Sequence, residues 1–137
     1  MDFLSALRIS ASGLSAERTR VNVASSNLAN AESTRGPDGQ PYHRLDPVFS
    51  AQPLEGSDAD SPSMVSVSEI RADQGPGKRV YSPSHPDAGP DGFVTLPDVN
   101  PIHEVVNLMS ASRAYEANAT AVDTLKTMAQ RALDIAR

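Results

Sequence analysis

The sequence predicts a mainly α chain with a small β and loop insert, its N- and C-terminal helices forming a coiled-coil-like pair whose ends order on assembly. Three observations carry this reading. Ten of the eleven prolines and seven of the eight glycines in the 137 residues fall between positions 35 and 100, so two breaker-poor ends bracket a breaker-rich middle. Near the start, Leu7, Leu14, Val21 and Leu28 recur every seven residues, the spacing of a coiled-coil seam. After Pro101 neither Gly nor Pro occurs again up to Arg137. The chain therefore divides into an N-terminal helix (1–34), an insert (35–100) and a long C-terminal helix (101–137).

In the first segment Leu4 and Ala11 occupy the intervening heptad position, and the series is interrupted at Arg18 and Ser25. Ser and Ala dominate beside the seam. Small side chains permit close helix approach but add little adhesion, so this helix is stable only when covered. It closes on SSNLANAEST, Ser25–Thr34, where Thr19, Asn22, Ser26 and Asn30 form a polar stripe beside the seam. Buried amides on such a stripe must find partners and penalise wrong registers more than they add stability. A plainer role is also open: Asn27 and Asn30 end the helix, Asn being tolerated in the left-handed conformation at a helix C-terminus. Taken together, Leu28 completes the seam and Asn30 marks the exit.

Within the insert, YHRLDPVF, SMVSVSEI, KRVYS and GFVTL read as short strands, separated by the turn-forming runs GPDGQP, EGSDADSPS, DQGPG and PSHPDAGPDG. They predict a small antiparallel β unit. The last segment opens on DVNPIHEVV, where Asn100 suits the N-cap and Pro101 the first helical position, its missing N–H costing nothing there. The helix that follows is roughly 50 Å long. Its apolar stripe runs through Leu108, Ala111, Tyr115, Ala119, Val122, Leu125, Ala129 and Leu133. A helix of that length indicates a shaft or coiled coil.

Hydrophobic residues make up 39%, yet there is no Trp, there are six other aromatics, and alanine supplies much of the apolar count. The core of an isolated chain is therefore thin. Net charge is −5, and the surplus lies wholly in residues 35–100, which carry five basic and ten acidic groups. Neutral ends can pack on copies of themselves, whereas an acidic middle suits solvent and argues against nucleic acid. Cysteine is absent, which removes disulfides, thiol nucleophiles and thiolate metal sites together. No run approaches the length of a membrane span, so no direct membrane insertion is expected, and MDFLSALRIS lacks the pattern of a cleaved secretory leader.

Catalytic and cofactor chemistry finds no footing. His43, His85 and His103 have no metal-ligand spacing. GPGK at Gly75–Lys78 lacks the leading glycine of a phosphate loop and has Arg79 where Ser or Thr is needed. In HPDAGPDG, Asp87 and Asp91 lie near glycines, but the alternating ligands and closing Glu of a calcium loop are missing. No serine lies in a nucleophile elbow. The expectation is a non-enzyme with no cofactor.

MDFLSALRISASGLSAERTRVNVASSNLANAEST at the start and NPIHEVVNLMSASRAYEANATAVDTLKTM near the end resemble the two terminal signatures of bacterial flagellar axial proteins. YSPSHPDAGPDGFVTLPDVNP, just before the last helix, resembles most the proximal-rod type of the basal body. The resemblance spans essentially the whole chain and is weakest over residues 50–75; Gln40 interrupts the Gly-Pro-Tyr expected of the family. It implies a structural subunit that polymerises through its terminal helices into the rod carrying torque from motor to hook. It also implies export by the flagellar type III apparatus, a place in the rod crossing the periplasm, and partners that are copies of itself and other rod proteins. A different rod subunit, or a soluble coiled-coil adaptor that never polymerises, is the alternative. By the same resemblance the assembly surfaces are Leu4, Leu7, Ala11, Leu14, Val21, Asn22, Asn27, Leu28 and Asn30 on the first helix. On the last they are Leu108, Arg113, Tyr115, Glu116, Asn118, Val122 and Leu125.

Overall fold

Two helices account for about half of the described residues in the structure, a computed structural model that describes residues 3–36, 39–54 and 62–135. The longer, α2, spans Pro101–Ile135. It begins where the sequence places its cap: the Asn100 Oδ1 accepts the backbone N–H of Ile102 at 3.0 Å and of His103 at 3.4 Å, and the Asn100 carbonyl accepts that of Glu104 at 3.1 Å. Two of the orphan donors of a helix start are thereby satisfied by the Asn100 side chain, and its carbonyl takes the first regular helical bond. The other helix, α1, spans Phe3–Ala29. Its exit is made by side chain rather than by a left-handed residue. The Asn30 amide donates to the Ser26 carbonyl at 2.8 Å, and no described residue other than glycine has positive φ. In place of the left-handed Asn considered from sequence, the Asn30 side chain adds a second hydrogen bond to the Ser26 carbonyl, which also accepts the Asn30 backbone N–H at 3.1 Å.

α1 and α2 run antiparallel. Asn27 meets Glu104 at one end and Gly13 lies against Asn118 further along, so fourteen residues forward on α1 match fourteen backward on α2. At that register Phe3 is level with Met128, and the last turns of α2 extend beyond the described part of α1. A Cβ on Gly13 would sit 3.0 Å from the Asn118 amide, so the glycine permits the close approach. Ala16, Val23 and Ala24 of α1 and Ala111 of α2 are the buried apolar residues of the pair. Alanines hold that position because helices that approach closely leave no room for leucine, and the expected thin core follows.

All four strand candidates form strands, but as two separate ribbons rather than one unit. β1 (Leu45–Pro53) pairs antiparallel with β2 (Ser63–Ala72), with a bulge between Val48 and Phe49. β3 (Lys78–Tyr81) pairs antiparallel with β4 (Phe93–Leu96). The split lies at the Asp73–Gly77 turn, where the Asp73 side chain accepts the Gly75 N–H at 2.9 Å and Gly77 takes φ 72°. The GPGK run is thus a turn. Ser12 ties the first ribbon to α1: its Oγ donates to the Ile9 carbonyl at 2.7 Å and accepts the Val65 N–H at 3.1 Å. Most of the EGSDADSPS loop read from sequence, and part of GPDGQP, lie outside the described residues.

A Cβ on Gly77 would stand 2.6 Å from the Leu96 carbonyl oxygen, backbone that cannot swing away. Together with its positive φ this makes Gly77→Ala costly, by about 2 kcal/mol on the scale of a strained backbone position. Chemical denaturation of the variant checks it, with a shifted midpoint and an unchanged slope expected.

In HPDAGPDG both aspartates are engaged locally. Asp87 accepts from Thr34 Oγ1 at 2.7 Å and pairs with Arg35 at 2.8 Å, which pins the chain leaving α1 to the loop before β4. Asp91 pairs with Arg79; the Phe93 backbone N–H and that guanidinium hold its carboxyl below the usual carboxylate range.

Candidate functional site

The chemistry-bearing residues of the chain meet where the end of α1, the start of α2 and the approach to β1 come together. Asn27, in the last turns of α1, and Glu104, in the first turn of α2, are each only 1% exposed. Polar groups so buried must be paired, and they are. The Asn27 Nδ2 donates to the Leu45 carbonyl at 2.8 Å and to Glu104 Oε2 at 3.2 Å, while its Oδ1 accepts the Leu45 N–H at 2.8 Å and the Tyr42 hydroxyl at 2.9 Å. One amide therefore closes a two-way backbone clamp on Leu45, as a neighbouring strand would.

Glu104 completes the junction from the other helix. Its second oxygen, Oε1, accepts from Arg44 Nε at 2.7 Å, and Arg44 turns a further nitrogen to Asp46. Burial by itself pulls the Arg44 guanidinium down in pKa, but the hydrogen bonds and charges of Glu104 and Asp46 outweigh it and hold the group above its ordinary value. A cation and an anion so placed fix each other's position. Residues 42–45 are thus drawn across the helix ends, which explains why β1 starts at Leu45 although the strand-like run begins at Tyr42.

This is a positioning site. Both Glu104 oxygens are occupied by protein donors, and among the described residues no group of three His, Asp or Glu is arranged to hold a metal ion.

The residues singled out from sequence are distributed unevenly. Asn27 is at the centre of the junction, whereas Asn30 is half-buried and serves locally, capping Ser26 and accepting from Ser33 Oγ at 3.2 Å. Leu7, Leu14, Val21 and Leu28 are half-buried, and Leu4, Ala11 and Asn22 are exposed. The leucine series is therefore not the most deeply packed face of α1, which is formed by Ala16, Val23, Ala24 and Asn27. On α2, Leu108, Asn118, Val122 and Leu125 are half-buried, and Arg113, Tyr115 and Glu116 are exposed. Tyr42, Arg44 and Glu104 were missed by sequence reasoning. The available signal was Asn27 itself, since an amide beside a helix seam requires partners, but nothing local names them.

Two family models match, and they fall on the two helical regions. Residues 7–37 match the flagella basal body rod protein family, and residues 91–135 match the C-terminal family of flagellar basal body rod FlgEFG proteins. The chain is 42% identical over 135 residues to the flagellar basal-body rod protein FlgC of Escherichia coli O6:H1, covering 98% of each. It is 44% identical to FlgC of Aquifex aeolicus, covering 98% of this chain and 97% of the relative. The chain belongs to the FlgC family of flagellar basal-body rod proteins. FlgC of Bacillus subtilis, 38% identical over 146 residues and 96% of each chain, extends the family relation to a third organism. In this FlgC-family chain the junction joins the two matched regions to each other: Asn27 lies in one and Glu104 in the other.

Proposed function

We propose that the chain is a structural subunit of the flagellar proximal rod that polymerises through its terminal helices and transmits torque from motor to hook, without enzymatic activity. The observation that carries the reading is the antiparallel α1–α2 pair, with α2 and all but the first residues of α1 in regions matched by rod families. That pair leaves large apolar side chains uncovered along α2, among them Ile102, Val106, Met109, Met128 and Leu133. Such a surface suits burial against neighbours better than solvent.

In this reading residues 1–34 and 101–137 are assembly segments packed in coiled-coil fashion, and 35–100 is an acidic outer insert. The heptad residues Leu4, Leu7, Ala11, Leu14, Val21 and Leu28 contribute to subunit contacts, as do Arg113, Tyr115 and Glu116. Partners are copies of the chain and other rod proteins. The subunit reaches the rod, across the periplasm, by the flagellar type III export apparatus. Because the core is thin, the helix ends order fully only on assembly.

A strain deleted for this chain is expected to lack rods by electron microscopy and not to swim, and the wild-type chain is expected to restore both. A motile deletion strain with intact rods contradicts the proposal and returns the non-polymerising adaptor. Circular dichroism of the dilute subunit checks the ordering claim separately: less helix than two full-length helices and a broad melt are expected.

A further inference from the structure

The tetrapeptide Gly-Pro-Asp-Gly occurs twice, at 36–39 and at 89–92. Its outer glycines close the turn in the same way at both places. The Gly39 N–H donates to the Gly36 carbonyl at 3.0 Å and the Gly92 N–H to the Gly89 carbonyl at 2.9 Å, with φ 78° at Gly39 and 76° at Gly92. Asp91 has negative φ, as every described residue other than glycine does, so the 89–92 turn is of type I and Gly92 is the left-handed residue that follows it.

An Asp–Gly bond is also a chemical weak point. The glycine nitrogen attacks the aspartate Cγ; an N–Cγ bond forms, the nitrogen's proton and the carboxyl hydroxyl leave as water, and a five-membered succinimide results. Water then adds back at either carbonyl. Addition at the main-chain carbonyl leaves the backbone routed through Cγ, an isoaspartate with one extra methylene in the chain and the same atoms overall. Glycine, with no side chain, leaves the attack unhindered.

Three features of the 89–92 turn oppose this reaction. The attacking nitrogen must give up a proton that it already donates to Gly89. The same hydrogen bond fixes the Asp91 main-chain torsion that would have to turn to bring this nitrogen onto Cγ. Finally, the carboxyl must react as the neutral acid, yet Oδ1 accepts the Phe93 N–H at 3.3 Å and Oδ2 pairs with Arg79, which keeps the group ionised below the usual carboxylate range. Oδ1 is folded back over the turn, for a Cβ on Gly89 would stand 2.8 Å from it.

Both partners of the Arg79–Asp91 pair are more than half exposed, and such a pair alone is worth little. Arg79, however, is seated. Its guanidinium lies 4.7 Å from the centre of the Phe93 ring, and that ring meets Tyr81 edge to face at 5.3 Å. The Tyr81 ring in turn lies on Gly92, 2.8 Å from where a Cβ would be. The aromatic pair thus aims Arg79 at Asp91 and covers the residue that would attack.

We propose that Asp91–Gly92 is an isoaspartate-forming site that folding holds shut, with Arg79 as the residue that guards it. The site is open while the chain is unfolded and closed once β3 and β4 pair. Its modification would be felt in the ribbon, because an extra methylene before Gly92 shifts Phe93 from its place opposite Tyr81.

The full-length chain is incubated at neutral pH, native and in urea, and isoaspartate is measured at each site by mass spectrometry with electron-transfer fragmentation, which distinguishes the two linkages. In urea Asp91 is expected to react at the rate of Asp38, which has the same neighbours. In the native chain it is expected to react at least about tenfold more slowly, the scale that follows when reacting atoms are held out of attack geometry. Native Arg79→Ala is expected to recover most of that factor, and Arg79→Lys, which keeps the charge, only a small part. Val80→Ala weakens the same strand from its other face, opposite the buried Val94, and is expected to react like the wild type. No isoaspartate at Asp91 in urea, or equal rates in the native chain and in urea, overturns the site. A rate in Arg79→Ala equal to that of the wild type, or one that Val80→Ala matches, overturns the guarding role.

Discussion

Asn27→Leu is expected to lower the stability of the subunit by about 3–5 kcal/mol, although leucine has nearly the same volume and a greater hydrophobicity. The substitution removes the acceptor of two part-buried donors: the N–H of Leu45, held at 2.8 Å, and the hydroxyl of Tyr42, held at 2.9 Å, which keeps only a 3.4 Å contact with Ser26 Oγ. Each orphaned group costs about 1–3 kcal/mol, and the Leu45 carbonyl and Glu104 lose donors as well. The gain from burying leucine offsets only part. Denaturant unfolding measures the difference directly. Asn30→Ala provides the internal contrast, because Asn30 is half-buried and caps a single carbonyl; about 1 kcal/mol is expected there. Equal effects at the two positions would mean that Asn27 acts only as a helix terminator. In cells, replacing both asparagines with alanine is expected to impair rod assembly more than export, since on the proposed export route the chain passes before the junction forms.

Arg44→Met is expected to cost a similar amount, about 3–5 kcal/mol, for a different reason. Glu104 is 1% exposed, and with Arg44 removed its carboxylate is left in the junction with only the Asn27 amide as donor. Breaking one side of a buried pair leaves an uncompensated charge, which is far more destabilising than the pair is stabilising. Removing the second charge as well, in Arg44→Met with Glu104→Met, is expected to recover most of the loss. A double variant no more stable than Arg44→Met alone would show that the junction needs the shape of these side chains and not their charge balance. The corresponding surface pair, Arg71 with Glu69, is more than half exposed on both sides, and its removal is expected to change little.

These expectations concern residues of unequal visibility in the sequence. Helix α2 was legible because its cap and first proline are local signals and no breaker follows. The strands were legible as segments, yet their division into two ribbons was not, because pairing depends on the Asp73–Gly77 turn and on what Ser12 and Asn27 hold in place. The heptad of leucines was visible and misled in one respect. Its Leu4 and Ala11 half points away from α2, while close helix approach seats Ala16 and Ala24 at the contact. Glu104 was hidden by an ordinary alternative, for an acidic residue in the first turn of a helix complements the helix dipole and needs no partner. Arg44 and Tyr42 lay inside a strand-like run. Their roles depend on a helix end 15 or more residues earlier and a helix start 60 or so residues later, distances over which a sequence carries no geometric signal.

Family membership and fold converge on the two helical ends, and their pairing is the central claim. Electron cryo-microscopy of basal bodies from a strain carrying this chain tests it most directly. The account predicts α1 and α2 of each copy as an antiparallel pair in the wall of the rod, with Asn27 against Glu104 and the β ribbons on the outer side. Copies in which the two helices part to pack singly against different neighbours, or rods that lack the chain, would contradict it.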